Sequence, residues 1–209
     1  MAKAGRGISP RKRVILDAAL GCFDAKGVAA TTIDDVRAAS GASIGSLYHH
    51  FGGKDRLVGS VYRECLRAYH ASLLDALPVF RTAESLVKGI VEHYLGWVRA
   101  NPRAARFLLE TRHAESVRAT EAEILADTAV VVDTVGASLE RFIASGEIRE
   151  LPRPLYSALL IGPCQFWAAQ HLRADADDAA VSRAAKVLAD AAWRSVSADS
   201  TRDRKRRKP

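Results

Sequence analysis

The chain has 209 residues, 48% of them apolar and 26% charged, with a mean hydropathy of -0.05. These values exclude a disordered, collagen-like or membrane-dominated protein and allow one domain of ordinary size or two small ones. The net charge of +7 is unevenly spread: residues 1–13 carry +5, residues 202–208 another +5, and the stretch between them is slightly acidic. Cys22, Cys65 and Cys164 are odd in number and far apart, which argues against a disulfide scaffold and for a reducing, cytoplasmic setting.

The basic start runs into Arg11, Lys12 and Arg13 rather than into an apolar stretch, so no secretory signal is expected. Residues 14–23 place Val14, Ile15, Ala18, Ala19, Cys22 and Phe23 on one helical stripe, with Pro10 before it and Gly27 after it as start and stop. Between Gly27 and Lys54 lie signals for two helices too short to stand alone. Thr32 and Asp35 have capping-box spacing, Asp34 and Asp35 oppose the helix dipole, and the helix should end near Ser40. Gly41 supplies a turn, and Ser43 caps a second helix from Ile44 to about His50.

Helix, glycine turn and helix in so short a span is the helix-turn-helix plan, although a purely structural helical hairpin would show the same caps. Surface chemistry favours nucleic acid. Leu47 and Phe51 can face inward, which leaves Ile44, Gly45, Ser46, Tyr48 and His49 outward. Hydroxyls and an imidazole beside a residue without a side chain suit close approach to a groove.

From Lys54 to Leu77, apolar residues recur along a helix about 36 Å long, enough to join two subdomains. Further stripes run through Leu86, Ile90, Tyr94 and Trp97, and from Ile124 to Phe142. A last pair of helices is expected over residues 154–172 and 178–196, with Pro78, Asn101-Pro102, Gly146 and residues 151–154 as punctuation. No strand alternation and no internal repeat is evident. Residues 154–172 lack any charged side chain, but Gln165, Gln170, His171 and the Gly162-Pro163 pair mark a buried or subunit-facing helix rather than a membrane span.

The residues Arg13–Ala19, Phe23, Gly27, Thr31–Val36, Gly41–Ser43, Gly45–Phe51 and Lys54–Leu57 closely resemble the tetracycline-repressor (TetR) family of bacterial regulators. Gly146–Arg149 and Leu159–Pro163 resemble a common family ending more weakly. The resemblance implies an all-α homodimer whose N-terminal three-helix DNA-binding domain is joined by the long helix to a C-terminal helical domain for ligand binding and dimerisation. By position it divides the chain into a basic arm (1–13), a helix-turn-helix domain (14–53), a ligand and dimerisation domain (54–197) and a basic tail (198–209).

The implied function is a ligand-responsive transcriptional regulator, a repressor that binds a palindromic operator and is released by a small molecule. Carried across by position, Ser43, Ile44, Gly45, Ser46, Tyr48 and His49 would meet base edges or nearby phosphates. Thr31, Thr32, His50 and Lys54 would hold the DNA backbone. Arg37 stands where the family usually has a small residue, so its stem should bend outward, towards DNA. Ile44 replaces a commonly polar position, so its contact would be apolar, to a thymine methyl. The long helix would couple ligand to DNA.

Small residues on the last helices fit either a core within one chain or a two-chain four-helix bundle, the latter with Leu159, Gln170, Ala184, Leu188 and Ala191 at the dimer interface. Tyr94, Trp97, Phe107, Phe166 and Trp167 could line an effector pocket or be plain core. His93, Arg106, Glu110, Arg112 and His113 could orient the effector or be solvated surface. No cofactor or metal is implied, and Cys164 with His171 makes no closed zinc site. No enzymatic motif occurs, so an enzyme is not expected. The competing reading is a non-inducible or architectural protein that binds DNA through its basic ends with little regard to sequence.

Overall fold

The computed structural model describes residues 8–171 and 178–198; most of the basic arm and all but the first residue of the basic tail lie outside them. The described residues are helical apart from turns and one isolated antiparallel bridge, Ile148 to Ser197. The helices are α1 (Pro10–Ala30), α2 (Ile33–Ser40), α3 (Ile44–Phe51), α4 (Lys54–Ala76), α5 (Ala83–Ala100), α6 (Pro102–Thr111), α7 (Glu115–Arg118), α8 (Glu121–Ala144), α9 (Arg153–Leu160), α10 (Gly162–His171) and α11 (Asp178–Val196). A single 3-10 turn, Leu77–Val79, ends α4.

Packing divides the chain into two compact units. The first comprises residues up to 67 together with 103–125, and the second comprises 68–102 together with those from 126 onward. The expected boundary at residue 53 is therefore not a packing boundary. Leu57, Val58, Val61, Tyr62 and Cys65 of α4, with Phe107 and Val117, share one core with Ile15, Leu16, Phe23, Val36, Leu47 and Phe51. The reason is the size of the helix-turn-helix: α2 and α3 have eight residues each, too few to bury a sufficient core by themselves.

Within this unit Phe23 stacks on Phe107 with ring centroids 5.4 Å apart. Asp24 accepts hydrogen bonds from both Nε (3.1 Å) and a terminal nitrogen (2.6 Å) of Arg106. In the second unit, α5 packs along α11, and α9, α10 and α11 pack on one another. The loop after α8 is pinned by backbone: Arg149 N–H donates to Val196 O (2.8 Å), and Ala198 N–H to Glu147 O (2.9 Å). The Tyr156 hydroxyl donates to Arg149 O (2.6 Å) and accepts from Leu151 N (3.0 Å).

The stretch expected as one helix over 154–172 is two, α9 and α10, broken at Ile161. Pro163 falls at the second position of α10, where its missing N–H has no partner to lose. No helix among the described residues is long and apolar enough to cross a membrane.

Gly89 lies in the middle of α5 because Phe80 occupies the space a side chain would need. A Cβ there would sit 2.3 Å from Phe80 Cε1. Gly89→Ala is expected to destabilise the protein by about 1–3 kcal/mol, the usual penalty for overpacking. Urea unfolding should show it, and part of the loss should be recovered in the double substitution Gly89→Ala with Phe80→Ala.

Candidate nucleic-acid interface

The site is built by local hydrogen bonds that the sequence dictates. Gly27 (φ 77°, ψ 159°) breaks α1, and the next residues lead into α2. The Asp35 N–H donates to Thr32 Oγ1 (3.1 Å), and the Thr32 N–H donates to Asp35 Oδ2 (2.8 Å), closing the expected capping box. Lys26 adds an ion pair, its Nζ 2.6 Å from Asp35 Oδ1. The Lys26 ammonium, followed by the Thr32 amide and hydroxyl, holds the Asp35 carboxyl well below the usual carboxylate range.

Gly41 follows α2 in the left-handed conformation (φ 61°), which its lack of a Cβ permits. The Arg11 guanidinium donates to Gly41 O (2.9 Å), so the described end of the basic arm is tied to the turn. The Ser40 hydroxyl accepts from Ala42 N (3.2 Å), and Ser43 caps α3 by accepting from Ser46 N (3.2 Å). Leu47 and Phe51 are buried, 2% and 4% exposed, and Lys12 Nζ lies 5.5 Å from the Phe51 ring centroid. Anchored on that side, α3 leaves Ile44, Gly45, Tyr48 and His49 exposed, with Ser43 beside them and Ser46 and His50 half-buried.

Three residues assigned to the DNA backbone or its vicinity occupy other partnerships. Thr31 is buried at 1% exposure, and its hydroxyl lies within hydrogen-bonding distance of Gly27 O (2.8 Å) and Cys22 O (3.1 Å). It closes the end of α1 and, contrary to expectation, is not placed to hold phosphate, because its hydroxyl is satisfied inside the fold. Lys54 sits at the start of α4 as expected, with Nζ donating to Ala29 O (2.9 Å). Arg37 bends outward, as its bulk requires, and pairs with Asp34 (Nε to Oδ1, 3.0 Å). Thr32 is exposed at the start of α2.

The candidate effector residues do not form one group. Phe107 belongs to the core of the first unit through its stack on Phe23, and Arg106 is held by Asp24 there. Both are corrected from pocket to scaffold: the helix carrying them packs against α1. Glu110 and His113 lie exposed in the same unit, His113 on an open groove shared with Glu115 and Arg118. Phe166 stands exposed at 71%. Trp167 is half-buried and stacks on His171, ring centroids 4.6 Å apart.

What remains in the second unit is an aromatic cluster centred on Tyr69, which meets Tyr94 (5.5 Å) and Trp97 (5.3 Å) edge to face. Burial raises the Tyr69 hydroxyl's pKa. Beside it the Ser72 hydroxyl lies 2.8 Å from Tyr69 O and 3.0 Å from His93 Nε2, within hydrogen-bonding distance of both. In sequence Tyr69 falls within the apolar stripe of α4, where an aromatic reads as core, and Ser72 beside it carries no motif. Cys164 is buried, its thiol pushed up to about 12 by desolvation, and it donates to Leu160 O (3.3 Å).

Of the interface candidates, Leu159, Ala184 and Leu188 are half-buried, while Gln170 and Ala191 are exposed. Leu155, Phe166 and Val187 on the same three helices are large, apolar and exposed, at 45%, 71% and 63%. Phe166, expected as pocket lining, is one of them, and Val187 stands between Lys186 and Leu188 in sequence.

Two outcomes follow from this geometry. A Cβ on Gly45 would meet nothing within 4 Å, and its φ is not left-handed; Gly45→Ala should therefore leave the fold intact and raise stability by up to about 1 kcal/mol, the difference between the two residues in a helix. A lower melting temperature would contradict this. For Asp35, a folded pKa lowered from 3.8 means that its stabilising contribution is complete above that value and lost as pH falls below it. Asp35→Asn should flatten the acid limb of a stability-against-pH profile measured by chemical denaturation.

Residues 15–61 match the family described as bacterial regulatory proteins, tetR family. The repressor KstR2 of Rhodococcus jostii is 35% identical over 85 residues, a stretch covering 39% of this chain and 42% of KstR2. The regulator BetI of Brucella suis is 29% identical over half of each chain. The chain thus matches half or less of the length of these curated relatives. Solved structures extend the likeness of fold. PfmR of Thermus thermophilus, a TetR family transcriptional regulator, has a TM-score of 0.65 at 26% identity, over 86% of this chain and 97% of PfmR. FadR of Bacillus subtilis, solved with stearoyl-CoA, has a TM-score of 0.71 at 20% identity, over 84% and 95%. The helix-turn-helix is thus similar in sequence to that of the tetR family of bacterial regulatory proteins, and the helical fold is similar to that of the TetR family regulator PfmR.

Proposed function

We propose that this protein is a transcriptional repressor that binds a palindromic DNA operator as a homodimer and leaves it when a small molecule binds. The observation that carries the reading is the exposed face of α3. Ile44, Gly45, Tyr48 and His49 lie on a capped helix whose opposite side is fixed in the core by Leu47 and Phe51. A surface of this kind suits insertion into a major groove.

Dimerisation is supported by the exposed apolar side chains Leu155, Phe166 and Val187 on α9, α10 and α11. Water contact with such groups is unfavourable, and a two-fold axis would cover the same patch on both chains. Release by an effector is supported by the Tyr69, Tyr94 and Trp97 cluster. Tyr69 lies on α4, the helix whose earlier turns belong to the core around the reading head. Binding beside Tyr69 that favours one position of α4 would change the position of α3, provided affinity differs between the two states.

Selected-site sequencing with the full-length protein in ~150 mM salt, where charges are screened beyond about 8 Å, tests the reading. The expected product is a palindrome with half-sites about one helical turn apart. Fragments enriched without a common sequence would instead favour sequence-tolerant binding by the basic ends, whose affinity falls steeply with salt. Phe166→Glu with Val187→Glu should give monomers by light scattering and weaken operator binding at least tenfold, whereas a persistent dimer would remove α9 to α11 as the interface. Stearoyl-CoA is bound by the Bacillus subtilis FadR, and an acyl-CoA series is the first set of compounds to add to the operator assay.

A further inference from the structure

The exposed surface of α3 is distinctive in what it lacks. From Ser43 to Phe51 there is no Arg, Lys, Asn, Gln, Asp or Glu. The side chains that make paired hydrogen bonds to guanine or adenine, or accept one from cytosine, are therefore absent from the helix that faces outward. α3 does expose two large apolar side chains: Ile44 is 48% and Tyr48 53% exposed. Four residues apart on one helix, they stand one turn above each other, about 6 Å between Cβ atoms, and form a single ridge. Gly45 beside them adds no side chain, so nothing on the adjoining position holds a partner away from the ridge.

Ile44 is also fixed in place. It occupies the first turn of α3, whose start is held by the Ser43 cap on Ser46 N, while Leu47 below it is locked in the core. A branched aliphatic side chain here serves neither capping nor helix propensity, and the core does not include it. In the major groove the apolar feature that can cover such a group is the C5 methyl of thymine.

The geometry points to Ile44 as a specificity-determining residue that reads a thymine methyl group, so that each half-site carries a thymine where Ile44 lands. This rests on the DNA-binding reading above and deepens it by naming the base feature recognised. Specificity at that position comes from burial of two apolar groups rather than from a hydrogen-bond pair.

The test replaces each thymine of the selected operator in turn by deoxyuridine, which removes the methyl and keeps every hydrogen-bonding group, and reads affinity by fluorescence anisotropy. At one thymine per half-site the wild-type protein should bind about fourfold more weakly, the worth of one buried methyl. Ile44→Ala, confirmed folded by its melting temperature, should bind the thymine and uracil operators equally, and Ile44→Val should keep most of the difference. The inference is overturned, with the DNA-binding reading intact, if uracil changes nothing at any position, or if the penalty is undiminished in Ile44→Ala. Failure to bind any DNA preferentially overturns sequence-specific DNA recognition, and the inference with it.

Discussion

The burial of Leu47 and Phe51 is the constraint on which the reading surface depends. An eight-residue helix has no stability of its own in water, so α3 exists because these two side chains are held in a core with Ile15, Leu16, Val36 and the first turns of α4. That anchoring fixes the rotation of α3 about its axis. With one face committed to the core, Ile44, Tyr48 and His49 have no option but to face water, and their identity becomes available for recognition.

Electrostatics and hydrogen bonding supply what the small core cannot. Each junction in the helix-turn-helix has a polar group aimed at a backbone group that a helix end leaves unpaired. Thr32 and Asp35 exchange bonds at the start of α2, Arg11 takes the carbonyl of Gly41, Ser43 caps α3, and Lys54 takes the carbonyl of Ala29. The same economy explains Thr31. A threonine at the end of α1 could hold phosphate only if its hydroxyl reached solvent, and here that hydroxyl has the Gly27 and Cys22 carbonyls for partners.

The same core explains why the packing boundary lies beyond the helix-turn-helix. Phe107 and Val117, 56 and 66 residues along the chain from Phe51, complete the hydrophobic surface that α1 to α3 leave open. Arg106 pairs with Asp24 for the same reason, a cation on the added helix meeting an acid on α1. The helix-turn-helix therefore belongs to the same packing unit as the first half of α4.

Features that depend on neighbours along the chain are legible in the order of the residues alone. Caps, the glycine turn, the inward pair Leu47 and Phe51, and the helical stripes of α4, α5 and α8 are set by spacings of three and four residues, and these are local. Tertiary structure decided whatever depends on residues far apart. Phe107 and Phe166 look alike as aromatic residues on apolar helices, yet one stacks on Phe23 inside the first unit and the other stands 71% exposed in the second. Tyr69 joins Tyr94 and Trp97 only because α4 lies beside α5, and Thr31 turns inward only because α1 breaks at Gly27. Periodicity tells which side of a helix is apolar. Which element covers that side, or whether any does, is fixed by the competition of all helices for the same buried surface, and that competition has no local signature.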